Sequence, residues 1–97
     1  MIVLKIEKIN EYNNYFLKDN SSNKNYSLYL EFYGVEKPVV GSEIAINEKL
    51  LNPNYEGFAQ PYAFELCKDL TSLDKNNAEY IALNIKNKKY VLKRIYG

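Results

Sequence analysis

The chain has 97 residues, a formal net charge of +1, no histidine and a single cysteine. That length accommodates one domain around one core, and a hydrophobic fraction of 46% belongs to a folded chain rather than a disordered one. Imidazole acid–base chemistry and histidine metal ligation are excluded, and one cysteine permits neither an internal disulfide nor a structural zinc site.

In chain order, Ile2, Leu4 and Ile6 alternate with Val3, Lys5 and Glu7, which predicts a first strand of about eight residues. Ile9 has the opposite parity, so a bulge or bend near Lys8 is expected to return it to the core. Residues 10–14 carry turn chemistry, and residues 15–18 read as a second strand, antiparallel to the first across a hairpin. Residues 19–25, DNSSNKN, read as a polar loop and as the segment expected to be most mobile.

The central stretch, residues 26–51, organises the rest. Tyr26, Leu28, Leu30 and Phe32 share one face of a long strand, and Ser27, Tyr29, Glu31 and Tyr33 share the other. Gly34 ends the run, Pro38 and Gly41 frame a turn, and Ile44 and Ile46 resume the alternation around Glu43 and Ala45. Asn47 is placed to cap a short helical turn near 47–51, which Asn52-Pro53 stops.

Residues 53–57 read as another turn. Residues 60–73 fit two templates. Tyr62, Phe64 and Leu66 have strand spacing, whereas Ala63, Leu66, Cys67, Leu70 and Leu73 approach helical spacing behind Pro61. The two aromatics decide for a strand over 62–67, with polar residues 69–77 separating it from a last pair. That pair is a strand through Ile81, Leu83 and Ile85, a turn at 86–88, and a returning strand over 90–96.

These elements predict an all-β single domain over 1–97. It is a small closed or partly open barrel of six to seven short antiparallel strands with one helical turn. The length, the long central strand and the helical turn between strands resemble an OB-like barrel. The resemblance is architectural, no motif accompanies it, and no functional residue is carried over.

No active site is legible. The four glycines are too scattered to cradle a phosphate. Cys67 lacks a histidine to activate it and sits in an apolar run, the setting of an inert thiol. Glu31, Glu43, Glu65, Asp69 and Asp74 have neither calcium-loop nor glycosidase spacing and read as surface. The sequence is therefore read as non-enzymatic and without a cofactor. The first ten residues do not read as a signal peptide, no run of apolar residues reaches membrane-spanning length, and the lone cysteine suits a reducing compartment. The expected setting is thus soluble and cytoplasmic, away from membranes.

Two surfaces remain. Tyr29, Glu31 and Tyr33 form a stripe suited to a protein partner if exposed, since each tyrosine offers an apolar body and a hydroxyl. If the two tyrosines lie under a loop, they are core instead. The second surface is the C-terminal hairpin, with Lys86, Lys88, Lys89, Lys93 and Arg94 interleaved with Tyr90 and Tyr96. Such a mixture tracks a single strand of nucleic acid by charge and stacking. It also reads as a solvated hairpin balancing the chain's acidic middle, because residues 31–79 sum to −5 and residues 80–97 to +5. The near-neutral total places a protein partner, in the manner of an adaptor, inhibitor or immunity-type protein, ahead of nucleic acid.

Overall fold

The computed structural model describes residues 2–51, 62–67 and 80–96. Seven strands are formed there: β1 (Ile2–Ile9), β2 (Asn14–Asp19), β3 (Lys24–Tyr33), β4 (Glu43–Ile46), β5 (Tyr62–Leu66), β6 (Tyr80–Ile85) and β7 (Lys88–Tyr96). They close into a barrel in the order β1-β2-β3-β5-β7-β6-β4, with β4 returning to β1. One 3₁₀ turn, Glu48–Leu51, follows β4.

The alternation places the apolar set of each strand inside. Leu4, Ile6, Leu17, Leu30, Ile44, Ile46, Ile81, Leu83 and Leu92 are essentially inaccessible, and Leu50 and Leu51 of the 3₁₀ turn join them. Aromatic rings bridge three neighbouring strands within this core. The Phe32 ring meets Tyr15 edge-on at 5.5 Å and lies nearly parallel to Phe64 at 6.2 Å, an arrangement that adds to what area burial alone supplies. Burial of Tyr15 pushes its hydroxyl up to about 12, because the phenolate would have to form away from water.

The bulge expected in β1 is present. The register with β2 shifts between Ile6 and Lys8, and Ile9 thereby packs against the core. Asn47 caps the 3₁₀ turn, its Oδ1 accepting the Lys49 N–H at 3.0 Å. The turn around Val39 to Ser42 is closed by a Ser42 N–H to Val39 carbonyl bond of 3.0 Å, with Gly41 at φ +94°. Residues 62–66 are strand, as the aromatics indicated. The expected turn at 53–57 and the polar stretch 69–77 lie outside the described residues.

Three expectations need correction. The strands are not all antiparallel, because β3 pairs with β5 in parallel register, Leu30 beside Tyr62 through Tyr33 beside Glu65. The cause is topological: β4 carries the chain back along the far side of the barrel to close on β1. The chain therefore enters β5 at the end where it entered β3. The polar loop at 19–25 is shorter than its composition suggested. Asp19 ends β2 and Lys24 begins β3, leaving a turn at 20–23. Asp19 organises that turn, accepting the Ser21 N–H at 2.9 Å, the Ser21 hydroxyl at 2.7 Å and the Ser22 hydroxyl at 2.9 Å. Finally, β7 begins at Lys88 rather than Tyr90. Lys86 and Asn87 both take positive φ, 51° and 65°, so a two-residue primed turn replaces the three-residue one.

Candidate functional site

Strand phase decides which side chains reach solvent. On β2, Tyr15 and Leu17 face the core, which turns Asn14, Phe16 and Lys18 outward. On β3, Leu30 anchors the inner face, which turns Ser27, Tyr29, Glu31 and Tyr33 outward. Tyr29 is 37% and Tyr33 46% exposed, so neither is a core aromatic. The Tyr33 hydroxyl donates to Glu31 Oε2 at 2.7 Å, so the carboxylate is held as an acceptor against Tyr33.

The ladder brings further residues to this wall that the sequence reading did not single out. Asn14 pairs with Tyr29 and Phe16 with Ser27, which makes Phe16 and Tyr29 diagonal neighbours on one face. Across the other side of β2, Lys5 pairs with Lys18 and Lys8 with Phe16. The Lys8 ammonium lies 5.6 Å from the Phe16 ring centroid, within cation–π range. Lys8 reaches that position only because of the β1 bulge. The parity of Phe16 against Tyr15 and Leu17 was the available signal for its outward direction.

The basic hairpin is divided between two faces. Tyr90 pairs with Leu83 and packs against the core, so it is not a surface aromatic. Lys86, Lys88 and Lys89 are exposed around the turn, and Lys93 is exposed farther along β7. Lys93 stands in register with Glu65 of β5 on one side and Tyr80 of β6 on the other. Arg94 is half-buried, its guanidinium carbon 6.0 Å from the Tyr62 ring centroid. Lys5 stands opposite Glu43 in the same manner. Glu65 of the acidic middle and Lys93 of the basic end thus meet strand against strand.

Cys67 is half-buried beside β7, its N–H donating to the Val91 carbonyl at 2.9 Å. Burial raises its thiol above the ordinary range. Lys93 pulls it back down and Glu65 raises it further, so the environment does not favour a thiolate. Among the described residues no three acidic or cysteine side chains cluster as a metal site. Asp69 and Asp74 lie outside the described residues.

The fold and this wall define a small closed β-barrel of mixed strand sense, with an aromatic outer face. No protein family, curated protein or solved structure matches the chain.

Proposed function

We propose that this protein is a non-enzymatic binding module that engages a protein partner through the outer wall of β3, in a reducing cytoplasmic setting. One observation carries the reading: Tyr29 and Tyr33 are exposed on the same strand face, with the Glu31 carboxylate between them tied to the Tyr33 hydroxyl. Alternate residues of a strand lie about 7 Å apart, so the three side chains form one stripe. Phe16, 37% exposed beside Tyr29, widens it. Aromatic anchors that a partner can desolvate dominate interface energetics, and a fixed charge between them penalises wrong partners.

We further propose that the barrel is OB-like in architecture. The β1–β2–β3 meander, the closed barrel and the helical turn before β5 support it. Seven strands depart from the five of the OB barrel, whose binding face is built on strands 2 and 3.

The test begins with affinity purification of a partner, followed by titration of that purified partner against the wild type and a Tyr29→Ala, Tyr33→Ala double variant. The expected loss is about 2 kcal/mol or more, roughly thirtyfold in affinity, with the melting temperature nearly unchanged. Wild-type affinity in the double variant would place the interface elsewhere. Nucleic-acid binding by the C-terminal hairpin has less support, because Tyr90 packs inward and leaves the lysines without it as a stacking partner.

A further inference from the structure

Lysines and an outward aromatic ring also adjoin on β1 and β2. We infer that the outer wall of β1–β2–β3 binds single-stranded nucleic acid, with Lys5, Lys8 and Lys18 holding phosphates and Phe16 stacking a base. This goes beyond the protein-partner reading; it shares Phe16 and Tyr29 with that stripe but uses neither Glu31 nor Tyr33.

Register is the first argument. Lys5 and Lys18 stand directly opposite each other on adjacent strands, a like-charge placement that destabilises a sheet and that Glu43, opposite Lys5 on β4, offsets on one side only. The next outward row is Lys8, Phe16 and Ser27, so an aromatic ring adjoins the lysine pair with a third ammonium over its face. Beyond it come Asn14 and Tyr29, a second partly exposed ring diagonal to the first. A lysine pair beside a ring that carries a third ammonium matches a polymer with phosphate on one side and a flat base on the other.

The charge chemistry supports a sequence-independent contact. Lysine is a flexible point charge that neutralises phosphate without reading a base edge. Glu43 faces Lys5 from β4, and Glu7 lies exposed in the bulge. The excess of positive charge is therefore small, and the contact is strongest at low salt. Ser27, Asn14 and Asn25 supply neutral hydrogen-bonding groups on the same wall rather than the apolar pockets a protein helix would require.

The experiment is fluorescence anisotropy with labelled oligothymidine and oligouridine of about fifteen nucleotides, within the site sizes of single-strand binders. Binding near micromolar is expected at low salt, with a log–log salt slope of about −2 for three phosphate contacts. A Lys5→Ala, Lys8→Ala, Lys18→Ala variant should lose at least about tenfold and flatten that slope. A variant with Lys86, Lys88, Lys89 and Lys93 changed to alanine should stay within about threefold of the wild type, by the same counterion argument. Phe16→Ala should lose about tenfold and Phe16→Tyr should restore it, since tyrosine keeps a stacking face. Lys5 and Lys8 are exposed and Lys18 is outward-facing and half-buried, so their variant decides the matter even if Phe16→Ala fails to fold. No anisotropy change at low salt overturns the inference. So does loss of binding in the hairpin variant alone, or equal competition by poly-glutamate, which would mark a site for acidic protein. Tyr29 and Tyr33 are intact in the lysine and Phe16 variants, so any of these outcomes leaves the protein-partner reading standing.

Discussion

Residues 5–18 and residues 86–94 both interleave lysine with aromatic side chains, and the barrel uses them in opposite ways. In the first region Phe16 lies outward beneath Lys8, with Lys5 and Lys18 on the neighbouring row. In the second, Tyr90 lies inward against Leu83, and its lysines are divided between the turn and a position facing Glu65. The two stretches have similar composition and different phase. A strand has only two faces, so a one-residue difference in where the aromatic falls converts an outward-facing ring into a core contact. The lesson is that charge and aromatic content become a surface argument only after parity has been assigned.

The comparison breaks most visibly if β7 is dispensable. It is bonded to β5 on one side and β6 on the other, so it closes the barrel. Removing residues 90–97 should abolish the cooperative unfolding transition, or drive aggregation through the strand edges left unpaired. A soluble truncation with an unchanged circular dichroism spectrum and melting transition would show the hairpin to be peripheral.

The contrast is sharper at single residues. Tyr90→Ala should cost about 2–3 kcal/mol in urea unfolding, somewhat below the full penalty for truncating a buried aromatic because Tyr90 is only partly covered. Tyr29→Ala, on the outer wall, should stay within about 0.5 kcal/mol of the wild type. Equal losses at the two positions would contradict the assignment of faces.

A titration separates the two sides of β2. Folding raises the Tyr15 hydroxyl from its ordinary 10 to about 12, so the folded state holds the proton more tightly than the unfolded chain. The contribution is complete below pH 10 and is lost as pH rises from 10 through 12. Its upper bound is about 2–3 kcal/mol for a two-unit difference. Unfolding followed across that window should show the loss in the wild type. A Tyr15→Phe variant should have a flatter profile. Identical profiles would mean that the hydroxyl is accessible to water in the folded state.

How much of this was legible beforehand follows from the range of each interaction. Local periodicity placed the strands, because a side chain's face depends only on its position along its own strand. The same local chemistry identified the β1 bulge from the misplaced parity of Ile9, the Asn47 cap, and the turn at Gly41. The turns were less exact. Asp19 bonding Ser21 and Ser22 shortened one loop, and two non-glycine residues at positive φ tightened another. Each is a local effect that residue type suggests without specifying its extent.

The tertiary structure alone decided who neighbours whom. Nothing near Leu30 in sequence announces that it will lie parallel to Tyr62, since that pairing depends on β4 crossing the barrel to close on β1. The Lys5–Lys18 opposition and the Lys8–Phe16 contact depend on the register of two strands, which the bulge offsets by one residue. What the sequence by itself determined about this protein is the all-β class, the inner and outer set of most strands, and the absence of histidine chemistry. The closure order and the outer-wall constellation came from long-range strand pairing, because that pairing is chosen by the burial of the whole core at once rather than by any segment's own preference.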